Sequence, residues 1–491
     1  MLAIRLTAGP GRLDTLVLPV HTGAATDGGD APATLAPTGS ALPDGVSAEA
    51  AALLPAARLT GRAGETYRHL RPTRTPGRLL LLGVGEGTDR HWRTAGAALA
   101  RAASDETHIT LALPADAAEG TVRALVEGLL LASYRFRMTD AGERPALAEV
   151  ELLATDPDGY RDAVDTARTT AEMTRFARDL TNTPSSVKNP QWFAAQVEAA
   201  AADLPDLHLR VRGPEELAAE GFGGILAVGG GSASPPRLVE LDWRPADART
   251  HVVLVGKGIT FDTGGISIKP VPAMKLMRKD MAGAAAVVAA TLGAAALRLP
   301  VRVTTLAPLA ENMVSGSAFR PGDIIRHYDG TTSETTNSDA EGRLVLADAL
   351  AYAARELAPD LLVDLATLTG ANAVALGKRH GALYSENDQL AADLLAAIDA
   401  AGEAAWRMPL PADYLEHLGS DLADLHSSPD RGAGSVIAAL YLREFTGDTR
   451  DRWLHIDMSA PSWADGDDAE LTRGATGWGV RGLLRWLGTL S

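Results

Sequence analysis

The stretch Asn337-Ser338-Asp339-Ala340-Glu341-Gly342-Arg343-Leu344 constrains this chain more than any other. Asp339, Glu341 and Arg343 alternate with small residues, so an extended backbone would send all three side chains to one face. Two carboxylates and a guanidinium on one face are wrong for a core strand. The next residues, Leu344-Val-Leu-Ala-Asp-Ala-Leu350 and Ala351-Tyr-Ala-Ala354, nevertheless have the apolar content of a buried helix. A charged segment leading into a buried helix tends to face a cleft, whereas scattered charges on a solvated loop are the plainer alternative.

A second stretch lies upstream. The β-branched run His251-Val-Val-Leu-Val-Gly256 predicts a buried strand that stops at glycine. Beyond its end come Lys257, Asp262, Lys269 and Asp280, where open α/β sheets keep their ligand crevices. The two stretches together supply four carboxylates, two lysines and one arginine. That is the inventory of a two-metal hydrolytic centre built on oxygen ligands.

Composition narrows the chemistry. Without cysteine the chain has neither disulfides nor thiolate zinc sites, so any metal must take oxygen or nitrogen ligands. With 46 basic and 62 acidic residues the net charge is −16, which disfavours nucleic acid and anionic membrane surfaces as partners. The start, Met1-Leu-Ala-Ile-Arg-Leu, has no basic region before an apolar run, so a cytoplasmic location is expected. The longest apolar run, Met281 to Leu297, is short for the ~20 residues a membrane span needs and reads as a tightly packed buried helix.

At 491 residues, two or three domains are expected. Residues 1–157 read as a small α/β domain, loop-rich over 22–45. Its run Arg78-Leu-Leu-Leu-Leu-Gly-Val-Gly-Glu-Gly87 enters a glycine turn, but Thr88 stands where a dinucleotide motif needs its third glycine. A helical pattern from Tyr160 to Leu180, stopped at Thr181-Asn-Thr-Pro184, connects it to the rest (158–184). Over 185–491 strands and helices alternate: helix 190–203, strand 207–212, helix 214–219, the apolar run Gly223–Gly229 in a strand's place, then strands 235–243 and 250–255. This order predicts a mainly parallel central sheet with helices on both faces.

The motif Asn337–Leu344 resembles the signature of the leucyl aminopeptidase family (M17 metallopeptidases), with Ser338 where that signature has threonine. The likeness continues through Trp406-Arg-Met-Pro-Leu410, His455-Ile-Asp457 and Gly474-Ala-Thr-Gly477 and covers most of 170–490. It implies a metal-dependent aminopeptidase that releases N-terminal, leucine-like residues from peptides with a free N-terminus. By that resemblance one metal is held by Asp262, Asp339 and Glu341, and the other by Lys257, Asp262, Asp280 and Glu341. Lys257 would then be a neutral amine, its pKa lowered by burial and the ion. Carboxylates with one amine suit zinc, manganese or cobalt; two divalent ions per chain, Mn²⁺ or Zn²⁺, are expected. Lys269 would stabilise the oxyanion. No histidine or spare glutamate in the motifs offers itself as general base, and the resemblance implies a bicarbonate held near Arg343 in that role. The resemblance also implies a homohexamer.

For the substrate pocket, Asn337, Thr367 and Leu368 match family positions that touch substrate, and Met277, one turn before Asp280, suits an adaptable apolar wall. Two rivals share these residues. A two-metal phosphoesterase uses the same inventory, and a DNA-binding or architectural protein could keep the fold without the chemistry.

Overall fold

The structure, a computed structural model, describes residues 2–23, 32–139, 146–429 and 432–490, with the backbone alone of 25–26 and 29–30. The chain separates into two compact units, Met1–Glu172 with Gly466–Arg473, and Met173–Asp465 with Gly474–Ser491. The division falls inside the helix Arg161–Asn182.

In the first unit Ala3–Thr7, Glu149–Leu153, His108–Ala112, Thr15–His21 and Arg78–Gly85 pair in parallel in that order, and Thr66–Leu70 closes the edge antiparallel. The glycine turn after Arg78–Gly85 enters the helix Asp89–Ala102, and Thr88 accepts a hydrogen bond from the His91 amide. The residue that breaks the dinucleotide motif is thus a helix cap.

The second unit is built on a sheet ordered Leu207–Arg212, Arg237–Trp243, Arg302–Asn312, His251–Gly256, Leu361–Ala366, Trp453–Asp457, His380–Tyr384 and Ala404–Arg407. The four central strands, from Arg302–Asn312 to Trp453–Asp457, are parallel. Successive side chains of a strand face opposite ways, and His251–Gly256 uses both: Val252 and Leu254 enter one core, Val253 and Val255 the other. A strand buried on both faces needs helices on both, and the α/β layering predicted from the sequence is what forms.

The run Met281–Leu297 becomes the helix Ala282–Ala296, buried to Ala295. Among the described residues no helix is long and apolar enough to cross a membrane.

Two local expectations fail. Residues 223–229, placed where alternation calls for a strand, form the helix Gly223–Gly229. Its first-turn amide, Ile225 N, is met by the buried carboxylate of Asp348 at 2.9 Å, which satisfies a donor that a helix start leaves open. The signature stretch is also not extended. Ala340 N bonds Asn337 O in a turn, Leu344 N and Val345 N bond Glu341 O, and the helix Gly342–Tyr352 begins inside the motif. Asp339 and Glu341 belong to the turn, and Arg343 to the first helical turn.

Candidate active site

The carboxyl ends of the central strands deliver the predicted residues. Lys257 follows His251–Gly256, its amide held by Leu365 O at 3.0 Å and its carbonyl by Ala284 N at 2.9 Å. Asp262 ends a strand missed in the sequence, Gly258–Asp262, which pairs in parallel with the end of Arg302–Asn312. Asp280 follows the tight turn Met277–Lys279. Its side chain does not cap the next helix, whose N-cap is Met281.

Oxygens of Asp262, Asp280 and Glu341 lie within 4.8 Å of one another, and all three residues are buried. Asp339 joins them through Lys269, whose Nζ is 2.8 Å from Asp262 Oδ2 and also contacts Asp339 Oδ1. Lys257 Nζ lies 3.0 Å from Asp280 Oδ2 and 2.8 Å from Glu341 Oε1, and donates to Thr367 O at 2.9 Å. Thr367 Oγ1 donates to Asp280 Oδ1 at 2.7 Å. Despite the ammonium groups nearby, Asp280 Oδ2, Asp339 Oδ1 and Glu341 Oε1 are buried without a hydrogen bond of good geometry.

Electrostatics follow from this crowding. Burial, with Glu341 close by, lifts the Asp262 carboxyl to about 6 against the pull of the two lysines. Burial also raises Asp280 and Glu341, with Lys257 opposing. Burial alone would lower Lys257, but Asp280, Glu341 and Asp262 outweigh it and raise the amine. Lys269 behaves likewise beside Asp262 and Glu341. Lys257 is thus held as an ammonium between Asp280 and Glu341, and a role as metal ligand would require it to lose a proton. The site residues fit divalent ions on their own chemistry: clustered buried carboxylate oxygens, several without hydrogen bonds, in a pocket whose charge is otherwise met by two lysines.

Glycine is required twice. A Cβ on Gly342 would lie 2.5 Å from Lys257 Cε. Gly264, at φ 86°, lies in the left-handed region, and its amide donates to Asp262 Oδ1 at 2.8 Å.

A cavity of about 190 Å³ opens beside the cluster, lined by Lys257, Glu341, Arg343, Asn337, Leu368 and Ser428 among others. Asn337 and Leu368, expected near substrate, are among its lining residues. Asn337 Oδ1 also accepts from Asp339 N at 2.9 Å. Thr367 serves Lys257 and Asp280 and is not among the cavity's lining residues; Met277, half-buried, does not line it either. Arg343 is buried and donates through one terminal nitrogen to Ser427 O at 2.7 Å, leaving Nε without a partner. Burial lowers its pKa.

Sequence reasoning missed Asn312, whose Nδ2 donates to Asp262 Oδ1 at 2.8 Å and to Ser338 O at 3.0 Å. Its signal was present: a polar residue at the carboxyl end of a central parallel strand. Asp457 lies in a stretch that carries the family resemblance, but sequence assigns it no role. It accepts from Leu368 N at 3.2 Å and Thr369 N at 2.9 Å and so shapes the cavity wall.

Residues 175–484 match the model of the cytosol aminopeptidase family's catalytic domain, and residues 17–139 that of its N-terminal domain. A "Probable cytosol aminopeptidase" of Leifsonia xyli subsp. xyli is 44% identical over 83% of this chain and 84% of its own. One from Streptomyces coelicolor is 40% identical over 99% and 97%. Among solved structures, the bottromycin maturation enzyme BotP in complex with Mn is 38% identical, with a TM-score of 0.86 over 98% of this chain and 100% of that one. A metal-suited carboxylate cluster, placed in a fold matched along nearly its whole length, leads to one conclusion: this chain belongs to the cytosol aminopeptidase family and is an aminopeptidase hydrolase acting on peptides.

Proposed function

We propose that the chain is a dinuclear metallo-aminopeptidase that removes leucine-like residues from free peptide N-termini. The observation that carries this reading is the buried trio Asp262, Asp280 and Glu341, with Lys257 bridging Asp280 and Glu341 and a cavity beside them. Asp262, Asp339 and Glu341 would hold one divalent ion, and Lys257, Asp262, Asp280 and Glu341 the other, with Mn²⁺ or Zn²⁺ as candidates. Bound ions supply Lewis acidity and a water acidified to a nucleophile near neutral pH.

The chain's own residues do the rest. Lys269, cationic beside Asp262, offers a fixed positive charge for the oxyanion that forms on the scissile carbonyl. Arg343 presents a buried guanidinium to the cavity with one donor uncommitted, which suits an anion such as bicarbonate acting as base. Leu368 and Ala340 give the wall its apolar part, and Met277 and Thr367 belong to the proposed substrate surroundings. Homohexameric assembly is part of the same proposal, resting on family likeness, and mass measurement in solution checks it.

Leucine anilide and its N-acetylated counterpart, assayed side by side, test the reading. An amine must be uncharged to coordinate, so turnover of the free-amine substrate should rise from neutral to mildly alkaline pH as a group of pKa near ~8 deprotonates. The acetylated substrate should be inert. Comparable rates on both would sink the aminopeptidase geometry, and full activity after exhaustive chelation would sink the metals.

A further inference from the structure

Lys188 is fully buried, and among the described residues no carboxylate lies within ion-pair distance of it. Its Nζ donates instead to two backbone carbonyls, Thr181 O at 3.0 Å and Arg278 O at 2.5 Å. Burial, reinforced by Arg278, pulls the amine well below the ordinary lysine value, with Asp280 opposing. Two backbone carbonyls thus receive two of its N–H donors.

The place of the second carbonyl matters. Arg278 belongs to the turn Met277–Lys279, and Asp280 follows that turn directly. Asp280 O in turn accepts from Ile259 N at 3.3 Å, which links it to the strand Gly258–Asp262. The loop that carries Lys188 is itself pinned to that strand, because Ser185 Oγ donates to Thr260 O at 2.8 Å. Lys188 N bonds Pro184 O at 3.0 Å, and Asn189 caps the helix Pro190–Ala201. One loop therefore braces two of the segments that carry cluster carboxylates, and Ser185 and Lys188 are not among the cavity's lining residues.

We infer that Lys188 is a positioning residue of the metal centre: by tying Arg278 O to Thr181 O it fixes the turn that sets Asp280 against Lys257. The inference rests on the dinuclear reading proposed for the site. The ion proposed to use Lys257 and Asp280 should depend on it most, because Asp280 directly follows this turn, whereas Asp262 ends the strand Gly258–Asp262 and Asp339 and Glu341 belong to the turn before Gly342.

Titration of the metal-free full-length protein with Mn²⁺ alone, followed by bound-metal analysis, tests it. Wild type should bind two ions, and a failure there counts against the dinuclear reading rather than against Lys188. In Lys188→Met one ion should weaken by about 10–100-fold, the range for losing a residue that orients a ligand, while the other is unchanged. Lys188→Gln keeps two N–H donors on a side chain one atom shorter and should restore that ion to within about 3-fold of wild type. Added to Asp280→Asn, Lys188→Met should cause no further loss of metal, since both act on one ion. Equal weakening of both ions, wild-type binding in Lys188→Met, or a Gln variant no better than Met would overturn the assignment. Should the Met variant not fold, Lys188→Gln alone decides: weakening of one ion only, by no more than about 3-fold, supports it, and wild-type binding of both ions or equal loss at both refutes it.

Discussion

Gly342 and Lys257 compete for one volume, with a methyl group on the glycine falling 2.5 Å from Lys257 Cε and 2.7 Å from its Nζ. Lys257 cannot retreat easily, because Asp280, Glu341 and Thr367 O hold its amine on three sides. Gly342 is the first residue of its helix, where alanine gains little propensity, so Gly342→Ala chiefly adds an overpacking cost of about 1–3 kcal/mol. The variant should stay folded and lose about 10–100-fold in metal affinity as Lys257, the proposed ligand, is displaced. Bound-metal analysis beside thermal unfolding checks it, and wild-type metal binding would show that Lys257 finds another path.

Asn312 should matter more than its single side chain suggests. Asn312→Leu removes the donor shared by Asp262 Oδ1 and Ser338 O, leaving a buried carboxylate oxygen with the Gly264 amide alone. Metal affinity or kcat should fall about 10–100-fold, and Asn312→Asp, which repels Asp262, should be worse than Leu. The reverse ranking would mean that packing, not hydrogen bonding, is what Asn312 supplies.

Arg343→Ala separates chemistry from metal holding. The guanidinium touches Ser427 O and lines the cavity, and no carboxylate pairs with it among the described residues. Both ions should remain, turnover should drop about 10²–10³-fold, and added bicarbonate should restore part of it. Loss of metal in this variant would reassign Arg343 to structure.

His455 and Asp364 predict a pH effect on stability. They form a buried pair at 2.6 Å, and Trp453 Nε1 donates to the same carboxylate at 2.8 Å. Burial lowers the imidazole pKa, but Asp364 more than offsets this, so it ends raised. A raised folded-state value means the pair stabilises fully below the unfolded imidazole pKa near ~6.5 and fades as pH climbs through the folded value. Asp364→Asn should therefore cost about 3–5 kcal/mol at pH near ~6 and clearly less in alkali. Denaturant unfolding of both proteins across that range gives the answer; a constant gap would mean the histidine is neutral throughout.

The sequence shows the chemistry of this site more clearly than its geometry. Lys257, Asp262 and Asp280 were legible because strand His251–Gly256 is apolar and stops at glycine, so the residues after Gly256 had to lie at a sheet's carboxyl edge. Asn337–Leu344 was legible by composition but not by conformation. Alternating charges suggested a strand, whereas the hydrogen bonds to Asn337 O and Glu341 O that close the turn involve only backbone. Gly342 reveals its purpose only once Lys257 is placed against it from a distant segment. The helix Gly223–Gly229 was hidden for a similar reason: the group that starts it, Asp348, belongs to another helix. Short-range pattern carries neither relation.

The cavity's two halves have different origins in the chain. Lys257 and Glu341 belong to the carboxylate cluster, whereas Leu368, Thr369 and Ser428 come from later loops and Gly434 from the start of the helix Gly434–Arg443, none of them in the cluster's ion pairs. Mutational drift in those loops can reshape which side chain the cavity accepts while the ion-holding set stays fixed. Divergence among relatives of this fold can therefore proceed by changing diet without relearning hydrolysis, and selection experiments aimed at new substrates belong at Leu368, Thr369, Ser428 and Gly434.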